Sequence, residues 1–271
     1  MEFPGASWKE AAGVVRRGIC TFYITIRKAI IKVRIGLFVT CLIDAMRPEI
    51  GFAAIKLLEE AGCEVAVPSA QTCCGQPAYN SGDAANARAL AAKTLNEFEP
   101  FDYVVVPSGS CAGQLKVHFP QLFENDPQLR ARAEQLAART HELTDFLINV
   151  APRRAPRAAA CGRITYHDAC SGLREIGIKT QPRELLAQAG AELIEMKDCE
   201  QCCGFGGTFA VKYGEISGAI VDEKCRHIQA TGADAVVLGD LGCMLNIEGR
   251  LQRLGAKTRV LHVAQVLAGS V

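Results

Sequence analysis

The sequence predicts an α/β protein of two Rossmann-like lobes related by a pseudo-twofold axis, each a parallel sheet with flanking helices and one Cys-Cys-Gly motif. Three observations carry that expectation. Cys41, Cys73, Cys74 and Cys111 recur as Cys170, Cys202, Cys203 and Cys243, the first three at an offset of 129 residues and the last at 132. In both sets 31 residues separate the lone cysteine from the pair; 36 residues follow Cys74 before Cys111, and 39 follow Cys203 before Cys243. Short β-branched runs alternate with longer amphipathic stretches, the pattern of parallel βαβ units with right-handed crossovers.

The elements follow in order. Ile35-Gly36-Leu37-Phe38-Val39 leads to Cys41 as Arg163-Ile164-Thr165-Tyr166 leads towards Cys170. Glu64-Val65-Ala66-Val67 precedes the first cysteine pair, and Glu192-Leu193-Ile194-Glu195-Met196 the second. Asp102-Tyr103-Val104-Val105-Val106 precedes Cys111, and Asp234-Ala235-Val236-Val237-Leu238 precedes Cys243. These runs read as strands. Helices are expected near residues 47–62, 83–98 and 128–148 in the first half, and near 181–190, 215–231, 243–254 and 261–268 in the second. The expected domains are a basic extension over residues 1–33, a first lobe over 34–150, a linker over 151–160 rich in proline and arginine, and a second lobe over 161–271.

Lys and Arg total 30 against 29 Asp and Glu, which argues against nucleic acid as a partner. The charge is uneven: residues 1–34 carry a net +5 and the remainder −4. The apolar stretch from Ile19 to Val39 is interrupted by Arg27, Lys28, Lys32 and Arg34, so no membrane span is expected. Peripheral contact of this basic arm with an acidic membrane surface is one reading; an extension without a fixed partner is the plainer one. No secretory signal is recognised, and the reducing cytoplasm is the expected compartment. There, thirteen cysteines call for a ligand role rather than disulfides.

In a parallel α/β layer the carboxyl ends of the strands share one edge, and every repeated cysteine follows a strand and precedes a helix. Helix amino ends supply N–H donors and positive potential, which favour thiolates and an anionic iron–sulfur centre. Adjacent cysteines aim at one centre only where the chain turns sharply, a turn that Gly75 and Gly204 permit through positive φ, with Pro77 closing the first loop. Cys41, Cys73, Cys74, Cys111, Cys170, Cys202, Cys203 and Cys243 are therefore the candidate metal and cofactor ligands. Zinc is the alternative, although Cys199-x2-Cys202 lacks a matching second pair. Cys20, Cys63, Cys161 and Cys225 read as structural thiols.

Gly204-Phe205-Gly206-Gly207-Thr208-Phe209 has some glycines of a dinucleotide loop but lacks the third, and reads better as a turn around the centre. His167 and Asp168 admit two readings: a satisfied core histidine beside a helix-capping aspartate, or groups that support the ligands or relay protons. No hydrolase or phosphoryl-transfer signature emerges.

Phe38-Val39-Thr40-Cys41-Leu42, Cys73-Cys74-Gly75-Gln76-Pro77, Pro107-Ser108-Gly109-Ser110-Cys111, His167-Asp168-Ala169-Cys170 and Cys202-Cys203-Gly204-Phe205-Gly206-Gly207-Thr208-Phe209 resemble the signature stretches of the cysteine-rich CCG-domain family. That family includes the cysteine-rich subunit of heterodisulfide reductase and the iron–sulfur subunit of glycolate oxidase, and the resemblance is strongest to its lactate-utilisation iron–sulfur branch. It runs from about Arg34 to the carboxyl terminus. It implies a [4Fe-4S]-type cofactor and an electron-transfer role beside other iron–sulfur or flavin subunits that oxidise L-lactate to pyruvate. The heterodisulfide relatives finish each motif in Cys-x2-Cys and use five thiolates. Here Ser108 and Gln114 flank Cys111, and Asp240 and Asn246 flank Cys243. The missing fifth thiolate weighs against disulfide reduction, which stands as the alternative function, with a zinc-binding scaffold as a further one; Asp240 is a candidate oxygen donor.

Overall fold

The computed structural model describes residues 33–151 and 162–271. The basic arm, the linker, Cys20 and Cys161 lie outside the described residues, apart from the ends of the arm and linker. The first lobe opens with β1 (Arg34–Leu37), α1 (Cys41–Met46), α2 (Pro48–Glu60) and β2 (Glu64–Ala66). Next come α3 (Gln76–Asn80), α4 (Ala84–Phe98), β3 (Tyr103–Val106) and α5 (Gly109–Gly113), which runs through a π-helical turn (Gln114–His118) into α6 (Phe119–Leu122). It closes with α7 (Pro127–Ala138), β4 (Thr140–Glu142) and α8 (Leu143–Asn149).

The second lobe repeats this plan. It runs β5 (Arg163–His167), α9 (Cys170–Ile176), α10 (Thr180–Gln188), β6 (Glu192–Leu193), α11 (Thr208–Lys212) and α12 (Gly214–Ala230). β7 (Ala235–Leu238), α13 (Leu241–Arg253), β8 (Arg259–His262) and α14 (Val263–Ala268) complete it. Each lobe holds a four-stranded parallel sheet, ordered β2-β1-β3-β4 in one and β6-β5-β7-β8 in the other. The two-lobe α/β expectation is met.

The fourth strand of each sheet corrects the element reading. The helix expected over 128–148 is two helices separated by β4, and the one expected over 261–268 begins only after β8. Thr140-His141-Glu142 has too little apolar character to announce a break in the helical pattern. Its conformation comes from pairing, with Val104 opposite Thr140 and Val106 opposite Glu142.

Alternation along the strands covers both faces of the first sheet, as parallel sheets require. Ile35, Leu37 and Val105 face a core shared with Ile164, Val236, Leu238 and Leu267 of the second lobe, so one apolar interior joins the lobes. Phe38, Val104 and Val106 face a second core with Phe98, Leu115 and Phe119. Polar ties reinforce the join: Arg47 pairs with Glu248 at 2.8 Å, and Lys56 Nζ donates to the Ala268 carbonyl at 2.7 Å. Helices α5 and α9 pack backbone to backbone, since a Cβ on Gly109 would lie 2.8 Å from the Gly172 Cα. Among the described residues no helix is long and apolar enough to cross a membrane.

Candidate metal centre

The sequence places each lone cysteine at the first position of a helix that starts just beyond a central strand. Cys41 opens α1 after β1, and Cys170 opens α9 after β5. Thr40 caps α1 by accepting from the Ile43 N–H at 3.3 Å. Cys111 and Cys243 occupy the third positions of α5 and α13, which follow the neighbouring strands β3 and β7. The cysteine pairs arrive on loops that end in left-handed glycines, Gly75 and Gly204, both at φ +82°. That conformation is strained for residues with a Cβ. It lets the Gly75 N–H donate back to Cys73 Sγ at 3.4 Å and the Gly204 N–H to Cys202 Sγ at 3.3 Å. Pro77 falls in the first turn of α3, immediately after the first loop.

All eight cysteines line one cavity of about 450 Å³ at the carboxyl edges of both sheets. Phe205, Gly206, Gly207 and Thr208 line it too, so the glycine-rich segment is a wall of this site. Within each lobe the four thiols form a chain of contacts: Cys41 to Cys73, Cys73 to Cys74, Cys74 to Cys111, and correspondingly Cys170 to Cys202, Cys202 to Cys203, Cys203 to Cys243. The Cys74 thiol donates to Cys111 Sγ at 3.4 Å. The charge distribution repeats as well. Cys73, which accepts from Cys41, Cys74 and the Gly75 N–H, is pulled down to about 2. Cys202 is pulled down to about 2 by Cys170, Cys203 and the Gly204 N–H. Cys41 and Cys170 are driven far up by donating to those thiolates and by burial. In each lobe the contacts thus favour one thiolate, at Cys73 and at Cys202, beside thiols that would yield protons to a metal.

Family comparison follows this duplication. A model of the CCG cysteine-rich domain matches the chain twice, over residues 35–116 and 164–248. The chain belongs to the CCG family. Among curated CCG relatives, Lactate utilization protein A of Geobacillus kaustophilus (strain HTA426) is 49% identical over 235 residues, covering 86% of this chain and 98% of that protein. Lactate utilization protein A 2 of Bacillus cereus (strain Q1) is 44% identical over 236 residues, covering 87% and 98%. A solved structure, described as a hypothetical protein from Helicobacter pylori, superposes with a TM-score of 0.64 at 11% identity. It covers 88% of this chain, which spans about half, 49%, of that one; the likeness concerns the fold.

The second CCG lobe carries charged groups that sequence reading placed elsewhere. Asp168 is not a helix cap: Ala169 precedes α9 without a side-chain cap, and both Asp168 oxygens accept from Arg183, at 2.8 and 2.9 Å. Arg183 also reaches Glu195 and lies over the Tyr166 ring, 5.1 Å from its centroid. Asp240 ties the CCG lobes together. Its Oδ2 accepts from Ser108 Oγ at 2.9 Å and the Ser110 N–H at 3.0 Å, while Oδ1 accepts from the Gly242 N–H at 3.1 Å. Asp240 makes these hydrogen bonds while lining the cavity that all eight cysteines share.

Lys224 sits fully buried in α12, with its ammonium donating to the carbonyls of Asp198 at 2.7 Å and Cys199 at 3.2 Å. It fastens the loop that delivers the second cysteine pair, and burial pushes its pKa down. Asn246 holds the same loop through the Cys203 carbonyl at 2.7 Å. Cys199 turns its thiol to a hydrogen bond with Asp168 and stands apart from the chain of contacts that links Cys170, Cys202, Cys203 and Cys243. Cys63 and Cys225 are buried in the shared core, in keeping with structural thiols. His167 is fully buried and, among the described residues, neither ring nitrogen is hydrogen-bonded, so the satisfied-core reading is not met there.

Proposed function

We propose that this chain is the iron–sulfur electron-transfer subunit of a system that oxidises L-lactate, or a similar 2-hydroxy acid, to the 2-oxo acid. The observation that carries the reading is the convergence of eight thiols, four from each lobe, on one cavity at the sheet edges. Cys41, Cys73, Cys74 and Cys111 form one ligand set, and Cys170, Cys202, Cys203 and Cys243 the other. Four thiolates suit a [4Fe-4S] centre, which when bound accepts and releases electrons singly. The residues fit such a group on three counts. The neighbours of Cys73 and Cys202 favour their thiolates, backbone N–H groups from Gly75 and Gly204 point at sulfur, and the cavity wall is mostly apolar.

The substrate assignment rests on the relatives called Lactate utilization protein A, whose match covers 86–87% of this chain and 98% of those proteins. The positions three before and three after Cys111 and Cys243, where a fifth thiolate would be needed for disulfide chemistry, hold Ser108, Gln114, Asp240 and Asn246, and Ser108 and Asp240 hydrogen-bond to each other across the lobes. A 2-hydroxy acid yields two electrons and two protons. The reading therefore includes a flavin or iron–sulfur partner protein that meets the substrate, with this chain, in the cytoplasm, passing electrons onward.

The test is reduction by substrate. Anaerobically reconstituted chain alone should be indifferent to L-lactate, whereas its visible charge-transfer absorbance should bleach when lactate is added together with partner proteins co-purified from the source cells. Lactate oxidation by the isolated chain would overturn the carrier role.

A further inference from the structure

The two lobes repeat each other closely at the thiols but differ at one position beside them. β5 ends in His167, and the same offset of 129 residues leads back to Phe38, the residue just after β1. Phe38 is fully buried and packs against Phe98, ring centroids 5.4 Å apart, inside the apolar core of the first lobe. His167 is equally buried but has an imidazole to satisfy. A neutral imidazole carries one donor and one acceptor nitrogen, and burying both without partners is costly. Among the described residues no group hydrogen-bonds to either nitrogen. A donor atom of His167 lies within 4.8 Å of the sulfur atoms of Cys203 and Cys243, and those sulfurs lie within the same distance of each other. Two ligands on one metal, with bonds of about 2.0–2.3 Å, stand no farther apart than that.

We infer that His167 is a fifth protein donor to the iron–sulfur centre of the second lobe, bonding iron through one ring nitrogen, so that the two centres of this chain are chemically unlike. The inference rests on the iron–sulfur reading above. Imidazole is a proven iron ligand in iron–sulfur centres. The buried Lys224 ammonium, which has no counterpart in the first lobe and acts on both Cys203 and His167, favours the reduced, more negative form of this centre. The second centre should therefore be reduced before the first, giving electrons a direction across the cleft.

The experiment is pulsed EPR on the full chain, reconstituted anaerobically with iron and sulfide and reduced stepwise, with and without ¹⁵N-histidine. The chain has only five histidines, so labelling is selective. The expected result is a strong nitrogen hyperfine coupling that changes with ¹⁵N. It should belong to the centre reduced first, persist in Cys74→Ser and vanish in Cys203→Ser. His167→Phe, which copies the first lobe, should abolish the coupling. Iron–sulfur signals from both lobes without any ¹⁵N-sensitive coupling in the wild-type chain would overturn this inference and leave the electron-transfer reading standing. Protein that takes up zinc, or no iron and sulfide at all, would overturn both. The wild-type labelling result decides the matter even if the phenylalanine variant does not fold.

Discussion

At the residue scale, the two left-handed glycines carry the same φ but sit in unequal surroundings. A Cβ on Gly75 would find its nearest neighbour at 3.5 Å, ordinary contact, while one on Gly204 would fall 2.7 Å from the Ser217 carbonyl oxygen. Gly75→Ala should therefore cost only the backbone strain, about 1–2 kcal/mol. Gly204→Ala should cost more, because α12 must shift, and should also lower iron content in the second lobe. Thermal unfolding and metal analysis of the two variants side by side will show the difference. These glycines were readable in the sequence, as were the eight cysteines, because a constant offset is visible without coordinates. Lys224 was not: it looks like an ordinary surface charge in its own segment, and only the tertiary fold brings it to the carbonyls of Asp198 and Cys199; Asp240 stood out by its spacing from Cys243, but its bond to Ser108 of the other lobe did not.

At the scale of elements, the helices that follow the fourth strands start in matched ways with different chemistry. Glu142 caps α8, accepting from the Thr144 and Asp145 N–H groups and the Thr144 hydroxyl, and His262 caps α14 by accepting from the Ala264 N–H at 3.2 Å. Desolvation at full burial raises Glu142 from an ordinary 4.5 to about 7, against the lowering effect of those hydrogen bonds. The folded chain therefore favours the protonated carboxyl. That contribution is complete below pH 4.5 and is lost as pH rises to about 7, amounting to roughly 3 kcal/mol. Glu142→Gln, which cannot ionise, should gain on the wild type by about that amount between roughly pH 4.5 and pH 8 in denaturant titrations; a constant difference across this range would refute the assignment. The short strand before this cap was hidden in the sequence because its pairing with β3, rather than any apolar alternation, makes it a strand.

At the scale of the whole molecule, duplication accounts for the repeated sheets, the repeated thiol chains and the twofold family match. What the repeat could not reveal is that the sets share a cavity, since that depends on how α5 meets α9 and on the Asp240 bridge. The central claim is that each set of four thiols holds its own iron–sulfur centre. Anaerobic quantitation of iron and acid-labile sulfide tests it most directly, on the wild-type chain and on Cys74→Ser and Cys203→Ser. The account predicts two centres in the wild type and loss of about half the iron and sulfide in each variant. Complete loss in either variant, or a wild-type protein without iron and sulfide after reconstitution, would contradict it.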